Sequence, residues 1–207
     1  MSESPQIGRG QPFGDLIYEY VIKQDIVNIV DVGMGGGLGT TKIIYDAIVE
    51  SKKRNYNVSA IEVYTPWYEI AVSRLPKLEN FNLLNGYITR RMMRPHELHD
   101  KFFTGYTKKE AIRWYDFFTK EMSMVNNISD KLPEKIDLII LDGGTFSSYY
   151  EFQLLKDRCK YFFLDDTNDI KNIFVLEEMI SQPETYTILK QDNSDRNGWA
   201  IVEKNEK

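Results

Sequence analysis

The stretch from Ile26 to Thr41, IVNIVDVGMGGGLGTT, constrains the fold more than any other part of the chain. It opens on the β-branched run Ile26-Val27-Asn28-Ile29-Val30, the composition of a parallel strand buried on both faces, and the run stops at Asp31. Gly33, Gly35, Gly36, Gly37 and Gly39 follow in close succession, and from Thr40 the apolar positions Ile43, Ile44, Ala47 and Ile48 have helical spacing. A strand, a Gly-rich turn and a helix in that order make a nucleotide-binding crossover. The glycines let the backbone pass close to a ligand and adopt positive φ angles that a Cβ would disfavour. Two phosphate-binding versions fail on spacing. A P-loop needs GxxxxGK followed by Ser or Thr, whereas Lys42 follows Thr40-Thr41. A GxGxxG or GxGxxA fingerprint meets Leu38 when counted from Gly33, Thr40 from Gly35 and Lys42 from Gly37.

The pattern that remains, Asp31-Val-Gly33-Met-Gly35-Gly-Gly37, resembles the first motif of class I S-adenosylmethionine-dependent methyltransferases. The resemblance implies that Asp31, Gly33, Gly35 and Gly37 hold S-adenosylmethionine, with the turn wrapped around its methionine part. Val58 to Glu62 reads as the second strand, again closing on an acid, and an acid at that tip accepts hydrogen bonds from ribose hydroxyls, which makes Glu62 the expected ribose ligand. A helix from Pro66 to Leu75 and a third strand, Phe81 to Leu84, come next. The third strand ends in Asn85-Gly86-Tyr87, where the family commonly shows Gly-Asp, so Tyr87 is expected to meet the adenine by stacking.

The chain has 207 residues, 42% of them hydrophobic, enough for one good core and most simply one domain. Its single cysteine, Cys159, excludes an internal disulfide framework, and MSESPQIGRG has neither a basic start nor an apolar signal core. Apolar runs are strand-sized, so the expectation is a soluble, cytoplasmic protein with no membrane span. A net charge of -5 argues against a dedicated nucleic-acid binder, as does the lack of an Asn/Asp-Pro-Pro-Tyr/Phe tetrapeptide after the fourth strand. Ahead of the first strand, Gly14 to Gln24 places Leu16, Ile17, Tyr20 and Val21 on one helical face.

Residues 88–135 exceed what a strand-to-strand connection needs and read as an insertion or lid. Lys108 to Val125 carries Ile112, Tyr115, Phe118, Met122 and Val125 at helical spacing, which predicts a helix packed on the body. His96 and His99 also lie in this segment. Their spacing lacks the HExxH pattern of a metal site, which leaves either ordinary surface histidines or a general base.

The fourth strand, Ile136 to Leu141, ends in Asp142-Gly143-Gly144; a helix from Ser147 to Arg158 follows, and the fifth strand, Tyr161 to Leu164, ends in Asp165-Asp166. Adjacent strand tips thus bring three carboxylates to the carboxyl edge of the sheet, a natural cage for Mg²⁺ or Ca²⁺. The alternative is that Asp165-Asp166 caps a helix beginning near Asn168. Leu141-Asp142-Gly143 and Phe163-Leu164-Asp165-Asp166 are similar to the TylF/MycF-type sugar O-methyltransferases. That resemblance, extending from about Gly10 to Glu203, implies Mg²⁺ on Asp142, Asp165 and Asp166, with the metal binding the acceptor's hydroxyls and Asp142 also serving the cofactor and the chemistry. Members often carry a further Asp or His as general base where this chain has Gly144 and Thr145, so the base is unassigned.

Thr185 to Leu189 and Gly198 to Glu203 read as a closing hairpin. The expected fold is α/β, a Rossmann-like doubly wound seven-stranded sheet with the last strand antiparallel and a helical insertion between strands three and four. The expected activity is metal-assisted methyl transfer from S-adenosylmethionine to a hydroxyl of a small molecule, a sugar or a nucleotide sugar. A homo-oligomer is left open. The competing readings are a catalytically inactive methyltransferase-like binding module and another nucleotide-using Rossmann enzyme such as an oxidoreductase.

Overall fold

A computed structural model describes residues 7–103 and 106–205 of the chain. At its centre lies β1 (Asn28–Val32), paired in parallel with β2 (Asn57–Glu62) on one side and β5 (Ile136–Leu141) on the other. Beyond β2 come β3 (Phe81–Tyr87) and β4 (Asn126–Asn127). Beyond β5 come β6 (Cys159–Asp165), β8 (Trp199–Lys204) and β7 (Tyr186–Asp192), giving the order β4-β3-β2-β1-β5-β6-β8-β7. Strand β8 is antiparallel to both neighbours, which makes this the Rossmann-like sheet expected, with β4 as an eighth strand. The insertion supplies β4, whose two residues pair with Gly86 and Tyr87. The strand order reverses between β1 and β5, and open α/β sheets bind their ligands in the crevice above such a reversal.

Side chains alternate across the central strands, so each face buries its own core. On one face Val30, Ile139, Leu141, Phe162 and Leu164 pack with Phe152 and Leu155 of α5 (Ser148–Leu155) and with Val175 and Met179 of α6 (Ile173–Ile180). On the other, Ile29, Leu138, Ile140 and Phe163 pack with α1 (Pro12–Val21) and α2 (Thr40–Ser51). The ring of Phe13 lies 5.5 Å from Trp199 and 6.0 Å from Phe163, tying α1 to β6 and β8. Burying such a ring is worth roughly 1.5–3 kcal/mol. Helix α3 (Thr65–Arg74) sets Ala71 against Met34 and Ala60, under the glycine turn.

Several boundaries differ from the sequence reading, each for a local reason. The β1 ladder begins at Asn28 rather than Ile26, because Asp137 Oδ2 accepts the backbone N–H groups of Val27 and Asn28 (2.9 and 2.8 Å) before pairing starts. Asp31 therefore sits inside the strand instead of terminating it. Helix α5 is shorter than the predicted 147–158 and closes with a 3-10 turn over Lys156–Arg158. Helix α6 starts at Ile173, not near Asn168, so Asp165 and Asp166 do not cap it. In the intervening turn Asn172 Nδ2 donates to the carbonyls of Leu141 (2.7 Å) and Asp165 (2.6 Å), clamping the ends of β5 and β6 together.

The insertion contains α4 (Lys108–Met124), which begins with a capping box of Thr107 and Glu110 and matches the predicted helix closely. Among the described residues, no helix is long and apolar enough to cross a membrane.

Candidate active site

The glycine turn after β1 is shaped by close approach on one side and open space on the other. Gly33 has φ +96°, and a Cβ there would lie 2.3 Å from the carbonyl oxygen of Asp142, so β1 and β5 can meet at this height only through glycine. Gly35 has φ +55° and a Cβ there would meet nothing within 4 Å, because this residue faces the cavity. Gly37 also has positive φ (+76°), and its Cβ would press on Ala71 of α3.

Asp31 lies below this turn and is fully buried. Its carboxylate accepts the hydroxyls of Thr40 (2.9 Å) and Thr41 (2.5 Å) at the start of α2. Burial pushes its pKa up to about 6, with the Thr41 and Thr40 hydroxyls pulling the other way. Asp31 does not line the cavity; it fixes the helix that carries the far end of the turn. Glu62, at the tip of β2, does line it. Its Oε2 accepts Gly35 N–H and its Oε1 accepts Tyr64 N–H, both at 2.8 Å, so the carboxylate bridges the glycine turn to the start of α3. The N–H of Val63 also interacts with this carboxylate, and its two oxygens together keep acceptor capacity for a ligand hydroxyl. Burial raises the Glu62 pKa, opposed by the N–H groups of Tyr64 and Gly35.

The cavity between these elements measures about 610 Å³. Its floor is the carboxyl edge of the sheet, including Val32, Ile61, Tyr87 and the Asp142-Gly143-Gly144 turn. Its far wall is aromatic and comes from α4: Trp114, Phe117, Phe118 and Met122. Phe117 meets Tyr64 edge-on at 5.4 Å, closing the rim between α4 and the β2 tip. Tyr87, expected beside the adenine, is buried, with the Arg90 guanidinium 5.1 Å above its ring.

Asp142, Asp165 and Asp166 do converge, each offering an oxygen within 4.8 Å of the others. The space among them holds an ammonium group. Lys171 Nζ lies 2.5 Å from Asp142 Oδ1, 2.8 Å from Asp166 Oδ2 and 3.7 Å from Asp165 Oδ2. Arg196 adds a second cation, 2.9 Å from Asp165 Oδ2. Burial would lower the Lys171 pKa, but Asp142, Asp166 and Asp165 together push it well up, so the ammonium is firmly protonated. Burial and the neighbouring Asp142 push Asp165 up to about 8. Two cations thus serve the three acids. Asp166 occupies a left-handed backbone position (φ +54°) that turns its side chain back toward Lys171. The three acids do not fit a divalent ion while Lys171 stands among them.

His96 and His99 are not brought to the cavity. Both are exposed in the lead-in to α4, and His99 Nδ1 accepts the N–H of Lys101, capping a short 3-10 helix. The general base left open at Gly144 and Thr145 has another candidate in Glu151, on the inward face of α5. Glu151 is 4% exposed, lines the cavity, and leaves its Oε2 without a hydrogen-bond partner. Burial pushes its pKa up to about 7, partly offset by a hydrogen bond from Ser147.

Sequence reading missed Glu151, Lys171 and Arg196. For Glu151 a signal existed: Ser148, Glu151, Phe152 and Leu155 form the buried stripe of α5, and an acid in an apolar stripe is out of place unless it has work to do. Lys171 follows the acid pair in the same turn, whereas Arg196 comes from the distant turn between β7 and β8 and gives no local signal.

No protein-family model matches the sequence, and no curated protein matches it. In shape, the chain is similar to solved methyltransferases. The O-methyltransferase from Bacillus cereus in complex with S-adenosylhomocysteine is 13% identical, with 97% of this chain and 83% of that one covered and a TM-score of 0.57. The O-methyltransferase TomG from Streptomyces achromogenes, in complex with S-adenosylmethionine, is 13% identical over 94% of this chain and 80% of that one, TM-score 0.56. The S-adenosylhomocysteine-bound methyltransferase PaMTH1 from Podospora anserina is 9% identical over 93% and 78%, TM-score 0.58. At these identities the likeness is one of fold, the Rossmann-like fold of the class I methyltransferases.

Proposed function

We propose that this chain is an S-adenosylmethionine-dependent O-methyltransferase that methylates a hydroxyl of a small molecule. The observation that carries the reading is the open side of the glycine turn: Gly35 faces free space directly beside the Glu62 carboxylate, in a cavity large enough for a nucleoside and a second molecule. Gly33 and Gly35 would admit the methionine part of the cofactor, with Gly37 letting the turn pass against α3, Glu62 would accept its ribose hydroxyls, and Tyr87 with Ile88 would border the base. Asp31 would act at one remove, by holding Thr40 and Thr41 and so the turn.

The bound cofactor supplies an electrophilic methyl group on a sulfonium. The chain's own residues then orient an acceptor hydroxyl, keep water out and remove a proton. Trp114, Phe117, Phe118 and Phe146 suit an acceptor with an apolar ring face, a sugar ring among them. The segment 88–135 serves as the lid through α4. Glu151, with a free oxygen and a pKa near neutrality, would take the proton that the acceptor hydroxyl gives up, on its Oε2. Asp142, held by Lys171, borders the acceptor from the β5 tip. The aromatic wall and the acidic edge support a small acceptor over a nucleic-acid strand.

Titration calorimetry with S-adenosylhomocysteine and, separately, with NAD tests the reading. Binding of the former and not the latter is expected, followed by methyl transfer to hydroxyl acceptors in a mass-spectrometric screen of sugars, nucleotide sugars and polyols. Preference for NAD would place the chain among the oxidoreductases instead. Cofactor binding with no transfer to any acceptor would favour the binding module.

A further inference from the structure

We propose that Lys171 supplies the positive charge that a divalent cation would supply among Asp142, Asp165 and Asp166, and that methyl transfer in this chain is therefore independent of a metal ion. The second half of this statement rests on the methyltransferase reading above; the first half stands on geometry alone.

Three features make Lys171 a built part of the site rather than a surface lysine resting on acids. Its ammonium contacts two carboxylates at 2.5 and 2.8 Å and stands 3.7 Å from the third, so it occupies the space among the three acids, nearer to Asp142 and Asp166 than to Asp165. Its side chain is only 9% exposed, so the ammonium is buried with the acids rather than resting on them from solvent. Its backbone is fixed on both sides: Lys171 N–H donates to Asp169 Oδ1 at 3.2 Å, and the next residue, Asn172, is clamped to the Leu141 and Asp165 carbonyls. Asp169 is in turn held by the Tyr106 hydroxyl at 3.0 Å.

Arg196 closes the cage from a second direction in the sequence. Its guanidinium reaches Asp165 Oδ2 from the turn between β7 and β8, so the acid most deeply buried in the cage is already paired from outside it. A Mg²⁺ or Ca²⁺ ion needs about six or more oxygen ligands and would have to evict a buried ammonium and settle beside a guanidinium. An ammonium instead needs only the acceptors present. It holds Asp142 at the edge of the cavity, as a metal would, but offers no open coordination position to an acceptor hydroxyl. Lys171 is thus a positioning residue, acting through Asp142.

Mn²⁺ titration followed by electron paramagnetic resonance tests the geometry without relying on turnover. The wild-type protein is expected to show no saturable Mn²⁺ site below about 10⁻³ M, a range in which carboxylate cages fill. Lys171→Ala and the bulkier Lys171→Met are expected to gain one such site, binding Mn²⁺ at least about tenfold more tightly than wild type. Should either variant be too unstable to titrate, Mn²⁺ should raise its thermal midpoint and leave that of the wild type unmoved. Wild-type methyl transfer should be unchanged by EDTA. A saturable Mn²⁺ site in the wild type that disappears in Asp166→Asn overturns the proposal, as does a folded Lys171→Ala that gains no site. Loss of turnover in EDTA with S-adenosylhomocysteine binding intact overturns the metal-independent reaction. Failure to bind S-adenosylhomocysteine at all removes the methyltransferase reading and leaves the Mn²⁺ outcome to stand by itself.

Discussion

The two halves of the sheet edge handle buried carboxylates in opposite ways. On the β1–β2 side, Asp31 and Glu62 are satisfied by neutral donors: threonine hydroxyls for one, backbone N–H groups for the other. On the β5–β6 side, Asp142, Asp165 and Asp166 are met by full charges on Lys171 and Arg196. Neutral donors leave a carboxylate with acceptor capacity for a ligand, whereas an ion pair consumes it and fixes geometry. The first half is accordingly the side that can take a polyhydroxylated cofactor. The second is a rigid abutment for whatever sits against Asp142.

The contact between the halves is where the comparison breaks most easily. Gly33 crosses Asp142 with no room for a side chain and at a φ that disfavours one. Gly33→Ala should cost about 3 kcal/mol or more, from overpacking and left-handed strain together. Chemical denaturation of the variant should show a lower midpoint, and cofactor binding should fall with it. Gly35→Ala, facing open space but also at positive φ, should cost about 1–2 kcal/mol from strain alone, less than Gly33→Ala, while still losing cofactor affinity. Equal stability losses at both positions would mean the cavity is not where the turn opens.

Glu151 lines the cavity at this edge, and its substitution has the next largest expected effect. Glu151→Gln should lower kcat by about 100-fold, the lower range for removing a general base, with S-adenosylhomocysteine affinity kept. The wild-type rate should rise with pH through an acid limb near 7, where the carboxyl ionises, and the variant should lack that limb. Stability gives an independent readout. The folded-state pKa of about 7 exceeds the ordinary 4.5, so between those values the folded chain holds more protons than the unfolded one. Unfolding free energy should therefore fall as pH rises through that window, and Glu151→Gln should flatten the slope. Asp31, raised from 3.8 to about 6, contributes the same sign over its own window, so part of the slope should persist. A variant with an unaltered pH–rate profile would return the base to an unidentified group.

Glu62→Gln sharpens the comparison at a smaller scale. The amide would set N–H donors against the N–H of Gly35 or Tyr64 and lose the charge that strengthens ribose contacts. S-adenosylhomocysteine should bind about 10- to 30-fold more weakly by calorimetry. An unchanged Kd would mean that the carboxylate only braces the turn.

How much of this could be read in advance depended on how local each feature is. The strand, glycines and helix from Asn28 to Ser51 are encoded by consecutive residues, and the structure reproduces them with a two-residue shift at β1 that only the side chain of Asp137, from another strand, explains. The convergence of Asp142, Asp165 and Asp166 was legible because two adjacent parallel strands must end at the same edge. The identity of the cation among them was not. Periodicity sees that acids meet, but not that a turn clamped by Asn172 delivers Lys171 into their midst, or that a hairpin brings Arg196 from the other end of the sheet. The insertion shows the same division: α4 was visible from its apolar spacing, while the depth at which Trp114 and Phe117 enter the cavity depends on packing across elements.

The smallest expected effect belongs to the histidines. A sequence with no acid or His after Asp142 invites a search for a base elsewhere, and His96 and His99 were the available imidazoles. The structure gives neither a path to the cavity. The His96 side chain is 63% exposed, with Glu97 as its nearest charged partner at 3.7 Å. His99 turns its Nδ1 onto the Lys101 N–H, a local bond that orients the ring along the surface. The nearby residue that does reach the cavity is Met92, which has no titratable group. Replacing both histidines by alanine should leave kcat and KM within about twofold of wild type, as expected of surface positions away from buried networks. A rate loss comparable to that of Glu151→Gln would show that the segment before α4 folds further inward during turnover, and would move the proton's destination from α5 to the lid.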